Sequence, residues 1–131
     1  MISNLTVAEE NYIKAIYHLQ QSGELVATNA LADQMSTKPA SVTDMIKKLK
    51  SKGWVEYEKY QGVQLSTLGM QEALRIIRKH RLWEFFLVEK LKFGWDEVHE
   101  VAEELEHINS EALIEKLDAY LGFPKFDPHG D

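Results

Sequence analysis

The 131-residue chain contains no cysteine. That absence excludes a disulfide framework, a thiolate zinc site and a thiol nucleophile, and it fits a reducing compartment. No apolar run approaches the ~20 residues of a membrane span. The opening MISNLTVAEENYIKAIY lacks the basic segment and unbroken apolar run of a signal peptide. A soluble, cytoplasmic protein with no membrane partner is therefore expected. Positive charge is also short: 15 Lys and Arg stand against 21 acids, a net charge of −6, which argues against indiscriminate binding to nucleic acid. The deficit is local. Residues 1–70 hold seven Lys and seven acids, whereas no Lys or Arg occurs between Lys92 and Lys116, where acids crowd. Residues 36–62 run the other way, with six Lys against Asp44, Glu56 and Glu58.

Most of what is present has helical period. Thr6-Val7-Ala8-Glu9 reads as a capping box, the Thr hydroxyl and the Glu carboxylate each satisfying an orphan amide. Tyr12, Ile13, Ala15, Ile16 and Leu19 follow at helical spacing, and Gly23 stops the run. A short helix fits 28–35, with Thr28 as N-cap and Leu31, Ala32 and Met35 inward. After the turn Ser36-Thr37 a third helix starts at Lys38-Pro39, where proline forfeits no bonded donor. It buries Val42, Met45, Ile46 and Leu49 and ends at Gly53. The period then drops to two on either side of Tyr60-Gln61-Gly62, the mark of a short hairpin. Thr67 is expected to cap a long helix to about Leu91, Asp96 another to about Ile108, and Asn109-Ser110 a last one closing at Gly122. The tail FPKFDPHGD holds two of the three prolines and no helical period.

Helix, short helix, turn, helix and hairpin, in that order, predict a mainly α protein with an N-terminal winged helix-turn-helix over 1–70. Its third helix would lie in the major groove of double-stranded DNA. Thr37, Ser41 and Thr43 can hydrogen-bond phosphates or bases, and Pro39 and Ala40 can meet a thymine methyl. Lys38, Lys47 and Lys48 can neutralise phosphates, and the hairpin tip Lys59-Tyr60 would reach the neighbouring backbone. Asp44 suits the groove only as an acceptor from a cytosine amine. A lysine-rich solvated face on a protein-interaction module is the plainer reading. The order of elements, and positive charge placed inside an acidic chain, favour DNA.

A second constellation lies in the C-terminal half, 71–131. His80 and Glu84 are four apart and share a helix face. His99, Glu103, Glu106 and His107 fall within one arc of the next expected helix, beside an apolar stripe of Val98, Val101, Ala102, Leu105 and Ile108. Residues 96–107 hold six acids and no Lys or Arg, and such a bunched array of carboxylates and imidazoles repels itself unless a cation sits between them. Nitrogen and oxygen donors without thiolate suit Mn²⁺, Fe²⁺, Co²⁺, Ni²⁺ or Zn²⁺. One His/Glu pair at this spacing is ordinarily a solvated face; six such residues from two helices favour a metal centre. His18 has no acidic partner on its helix and reads as surface or core. Trp54, Trp83 and Trp95 read as core or interface aromatics, and His129 lies in the tail.

With both constellations on one chain, the sequence resembles the metal-dependent repressors of the diphtheria-toxin-repressor and manganese-transport-regulator family. The resemblance is carried by ENYIKAIYHL (10–19), KPASVTDMIKKLKSKGWVEYEKYQGVQLS (38–66), RKHRLWEFF (78–86) and VHEVAEELEH (98–107). It implies one metal site of His80, Glu84 and His99, and another of Glu103, Glu106 and His107 with Asn11. It also implies a homodimer joined through a C-terminal metal-binding and dimerisation domain over 71–131. Two winged domains would then face a palindromic operator, with Mn²⁺ or Fe²⁺ as corepressor of metal-homeostasis genes and Co²⁺, Ni²⁺ or Zn²⁺ as substitutes in vitro. Asn11 stands where the family usually offers Met or Asp, Glu103 matches manganese-type members, and His99 matches iron-type ones. A third, small β-barrel domain of many iron-type members is expected to be absent from this chain. No enzymatic nucleophile is apparent. The alternative from the residues alone is a metal-independent winged-helix regulator responding to a small organic ligand.

Overall fold

The computed structural model describes residues 5–122 and residue 124. Its α-helices are α1 (Val7–Leu19), α2 (Thr28–Met35), α3 (Pro39–Ser51), α4 (Thr67–Glu89), α5 (Trp95–Leu105) and α6 (Glu111–Tyr120), with one hairpin of β1 (Val55–Glu58) and β2 (Gly62–Leu65). The fold is mainly helical, as expected. The chain divides into two compact units, Leu5–Leu74 and Arg75 onward, and the division falls inside α4.

In the first unit the capping box forms as read: Glu9 N donates to Thr6 Oγ1 at 3.1 Å and Thr6 N to Glu9 Oε1 at 2.9 Å. Tyr12, Ile13, Ala15 and Ile16 of α1 meet Leu31 and Ala32 of α2, Val42, Ile46 and Leu49 of α3, and Val55, Val63 and Leu65 of the hairpin in one core. Met35 and Met45 are half-buried at its edge. The residues of α3 that face inward recur at the spacing that puts them on one side of a helix. The remaining face carries its lysines outward.

Two details correct the sequence reading here. Ala27, not Thr28, is the N-cap of α2, and no side chain caps it. Ser66, not Thr67, caps α4: its Oγ accepts from Gly69 N at 3.0 Å while donating to Gly53 O at 2.7 Å. The hairpin pairs Val55 with Leu65 and Tyr57 with Val63. It also gains a bridge outside the strands, in which Val26 and Val63 exchange hydrogen bonds of 2.8 and 2.9 Å. A single paired residue has no period to betray it in the sequence. Gly62, at φ +133°, lies against that bridge; a Cβ there would come 2.6 Å from Val26 O. Gly69 is tighter still, since its Cβ would meet Trp54 O at 2.0 Å. The early glycine of α4 thus lies against the backbone that leads into β1.

The second unit gathers Leu82, Trp83 and Leu87 of α4 with Val98 and Ala102 of α5 and Leu117 of α6. The helix α4 ends at Glu89, short of Leu91, and Lys92 takes a positive φ of 62° in the connection. Gly94 is the N-cap of α5, so Asp96 sits inside the first turn; Glu97 Oε1 accepts from Gly94 N at 3.3 Å. The helix stops at Leu105, three residues before the expected Ile108. A buried lysine supplies a reason: Lys79 Nζ donates to Asn109 Oδ1 at 3.0 Å and lies 3.5 Å from Ile108 O, giving the turn partners that a continuing helix would not. Ile108 is consequently exposed rather than part of the apolar stripe. Ser110 caps α6, accepting from Leu113 N at 3.1 Å. Arg75 pairs with Glu111, and Arg78 joins Asp118 at 2.8 Å and Pro124 O at 2.7 Å.

Of the remaining aromatics and imidazoles, His18 is exposed with its ring edge-on to Tyr17, Trp54 is half-buried and Trp83 is buried. Trp95 is exposed, which leaves the core part of its reading unsupported. His129 lies outside the described residues. Among the described residues no helix is long and apolar enough to cross a membrane.

Candidate metal centre and nucleic-acid face

The second unit brings His80, Glu84, His99, Glu103, Glu106 and His107 into one connected group. One turn of α4 separates His80 from Glu84, and His80 Nε2 lies 3.2 Å from Glu84 Oε2. From α5, His99 Nδ1 approaches the same oxygen at 3.6 Å. The two imidazoles meet edge-on with centroids 4.8 Å apart. One donor atom from each of His80, Glu84 and His99 lies within 4.8 Å of the others. A cation about 2.1 Å from each donor holds adjacent donors about 3–3.5 Å apart, so this set fits a small divalent ion once its widest separation closes by somewhat more than an ångström. Two imidazoles and a carboxylate, with no thiolate, select the borderline metals of the first transition row.

Behind that set stands Glu106, fully buried just past the end of α5. Its Oε1 accepts from His80 Nδ1 at 2.7 Å, and its Oε2 lies 3.7 Å from His107 Nε2. A carboxylate on Nδ1 orients the His80 ring and turns Nε2 toward Glu84; carboxylates play this part behind metal-bound histidines generally. Glu103, exposed, approaches His99 Nε2 at 3.3 Å. The donors grouped by the resemblance as a second set are therefore shared in this structure: Glu103 faces His99, and Glu106 divides between His80 and His107. Asn11 is half-buried on α1 in the first unit.

Asp96, Glu97, Glu100, Glu103 and Glu104 are all exposed, where water screens them. The carboxylates withdrawn from water are Glu84 and Glu106, on the two sides of one imidazole. Sequence spacing identified both but could not assign Glu106 its place behind His80, because that depends on where α5 stops. Lys79 escaped notice altogether; its helical spacing from Ile76, Leu82 and Trp83, which are buried with it, was the available signal.

In the first unit, Thr37, Lys38, Pro39, Ala40, Ser41, Asp44, Lys47 and Lys48 are exposed along the start and outer face of α3. Thr43 is half-buried and donates its hydroxyl to Pro39 O at 3.0 Å, which leaves it only as an acceptor toward a ligand. The helix begins with Pro39, so the free amides of its first turn add partial positive charge at that end. At the hairpin tip Lys59 is exposed and Tyr60 is 93% exposed, with Lys59 Nζ 5.1 Å from the Tyr60 ring. Lys48 has a partner unforeseen from the sequence, Glu9 Oε2 at 4.0 Å, and Lys52 meets the same oxygen at 2.8 Å. Burial pushes the Glu9 carboxyl up, but the hydrogen bonds from Lys52 and Thr6 and the two ammonium charges outweigh it and hold Glu9 below the usual carboxylate range.

Comparison with known proteins agrees with both halves of this description. Residues 4–63 match the model of the iron-dependent repressor N-terminal DNA-binding domain, and residues 66–131 match that of the iron-dependent repressor metal-binding and dimerisation domain. An uncharacterised helix-turn-helix-type transcriptional regulator of Methanocaldococcus jannaschii is 36% identical over 113 residues, covering 86% of this chain and 90% of its own. The helix-turn-helix-type regulator MntR of Oceanobacillus iheyensis is 31% identical, covering 93% of this chain and 82% of its own. A manganese-dependent transcriptional repressor solved with manganese superposes with a TM-score of 0.82 at 40% identity over 92% of this chain. This chain spans 56% of the length of that solved repressor. The two family models together match the chain along nearly its whole length, and the protein belongs to the iron-dependent repressor family.

Proposed function

We propose that this chain is a metal-activated, sequence-specific DNA-binding repressor that senses Mn²⁺ or Fe²⁺ and controls metal-homeostasis genes in the cytoplasm. The observation that carries the metal half is the convergence of His80, Glu84 and His99, with His80 held by the buried Glu106. When bound, a divalent cation supplies the positive charge that lets these donors close on a common centre. Glu106 keeps the His80 ring in position, Glu84 and His99 complete the set, and Glu103 and His107 are further donors beside it. Asn11 on α1 keeps the ligand role that the resemblance implies.

For the DNA half, residues 1–70 act as the winged helix-turn-helix. Thr37, Pro39, Ala40, Ser41, Thr43 and Asp44 face base edges and nearby phosphates, while Lys38, Lys47, Lys48, Lys59 and Tyr60 meet backbone. Residues 71–131 hold the metal and join two chains, so a homodimer meets a palindromic operator with half-sites about one helical turn apart. The side chains described supply binding and orientation only, and no catalytic step is assigned to them.

The test starts from a duplex selected out of a random pool on the Mn²⁺-loaded full chain. Its affinity is then measured by fluorescence anisotropy with Mn²⁺, with Fe²⁺ under exclusion of air, and with chelator. Coupling of about 1–3 kcal/mol corresponds to about 5–150-fold tighter binding with metal. Equal affinity with metal and with chelator would falsify the proposal.

A further inference from the structure

One buried carboxylate of the first unit does two jobs, and the second concerns the lysines of α3. Glu9 is 0% exposed. Its Oε1 accepts from Thr6 N at 2.9 Å, which completes the cap of α1. Its Oε2 accepts from Lys52 Nζ at 2.8 Å and stands 4.0 Å from Lys48 Nζ. The cap needs one oxygen and no charge, since Gln serves at this position as Glu does. Withdrawing an ionised carboxylate from water is unfavourable unless it is paired. Lys52 and Lys48, together with the cap hydrogen bond from Thr6, therefore keep Glu9 ionised. Those two lysines lie one turn apart at the carboxyl end of α3, with side chains 38% and 52% exposed. Lys47, beside them in sequence, faces solvent.

We propose that Glu9 is a specificity-determining counter-charge, which holds Lys52 and part of the field of Lys48 inside the protein and so weakens sequence-blind binding to DNA phosphates. This rests on the DNA-binding reading above. Phosphate neutralisation supplies nearly all non-specific affinity, with a slope of about 0.9 in log affinity against log salt for each contact. A lysine paired at 2.8 Å has to leave its carboxylate to reach a phosphate. The groups placed for base edges, at the amino end of α3, make no such pair with Glu9 and keep their contribution. The ratio of specific to non-specific affinity, the quantity that matters among many competing sites, rises accordingly.

The experiment uses the full chain with Mn²⁺ and a short labelled duplex of arbitrary sequence, followed by anisotropy over a salt series. Glu9→Gln, which retains the cap, is expected to bind about 3- to 10-fold tighter near 0.1 M salt, with a slope steeper by about one to two. In a Lys48→Gln/Lys52→Gln background the same change is expected to alter neither quantity. An unchanged affinity and slope for Glu9→Gln, or an undiminished gain in that background, overturns the proposal. A measurement on the unsubstituted chain is independent of how the variants fold: acetylation followed by mass spectrometry. Bound duplex is expected to shield Lys47 and leave the reactivity of Lys52 unchanged; equal shielding of both overturns the proposal. Lys47→Ala separates the two levels of inference. If it weakens binding while Glu9→Gln does nothing, the counter-charge alone fails. If the unsubstituted chain with metal does not bind duplex at all, the DNA-binding reading fails and the counter-charge with it.

Discussion

Each unit of this protein withdraws carboxylates from water, but their partners differ. In the first unit Glu9 meets the ammonium groups of Lys52 and Lys48, which have no lone pair to offer. In the second unit Glu84 and Glu106 meet the imidazole of His80 from opposite sides. An imidazole nitrogen can give up its proton and present a lone pair instead. The first arrangement is complete as it stands, and its function is to place charge. The second consists of donors that can exchange protons for a cation without rebuilding the helices that hold them. A buried anion marks a ligand site only when its neighbours can also act as ligands.

The largest expected effect breaks the second arrangement. Glu106→Gln should lower Mn²⁺ affinity about 10–100-fold, the usual consequence of disturbing a partner behind a metal-bound histidine, and His80→Ala should lower it further. Isothermal titration calorimetry on the DNA-free protein reads both. Wild-type affinity in Glu106→Gln would show that the His80–Glu106 contact is dispensable.

Next in size is a substitution whose sign depends on tertiary contact. Helix propensity alone gives Gly69→Ala a gain of about 0.5–1 kcal/mol. The Trp54 carbonyl at 2.0 Å from the required Cβ reverses this, and a loss of about 1–3 kcal/mol or more is expected from forced displacement of packed backbone. Denaturant unfolding decides, and a more stable Gly69→Ala would mean that α4 does not rest on the backbone that leads into β1.

Ser66→Ala should cost about 1 kcal/mol as a lost N-cap, with Thr67→Ala near zero; the opposite ranking in thermal melts would restore the cap read from the sequence.

The smallest effect is electrostatic and pH-dependent. The hydrogen bond and charge of Arg75 outweigh slight burial and lower the Glu111 carboxyl from its ordinary value of 4.5. A depressed folded-state value means that the stabilisation is present above the unfolded value and is lost as pH falls through the folded one. Glu111 is half exposed, so the pair is worth at most about 1 kcal/mol. The stability gap between the wild type and Glu111→Gln should close in acid; a gap that persists there would assign the stabilisation to packing.

The winged module was readable almost residue by residue because its determinants are local. Apolar period, a capping box and a turn between two alternating runs define each element within a dozen residues. Its misreadings are of one kind. Thr28 and Thr67 are good capping residues, yet Ala27 and Ser66 occupy those positions, because the chain enters each helix at an angle set by what it packs against. The Val26–Val63 bridge was invisible for a related reason, since it is specified only by the register of a distant strand. In the second unit the spacing of His80, Glu84 and His99 was enough to select them, and the three do converge. Glu106 and His107 were placed on an α5 that runs too far. The helix stops at Leu105, where buried Lys79 engages Ile108 O and Asn109, and no pattern within 95–108 announces that.

What the amino-acid order determined alone was the succession of elements, the lysine-rich face of α3 and the identity of the donors clustered in the second half. These follow from periodicities and side-chain chemistry that act over one or two helical turns. Tertiary structure decided which groups meet: Glu9 with Lys52, Glu106 behind His80, Gly69 against Trp54. Each of those contacts joins residues that are far apart in the chain, so its energy depends on how separate elements pack, and no local pattern encodes it.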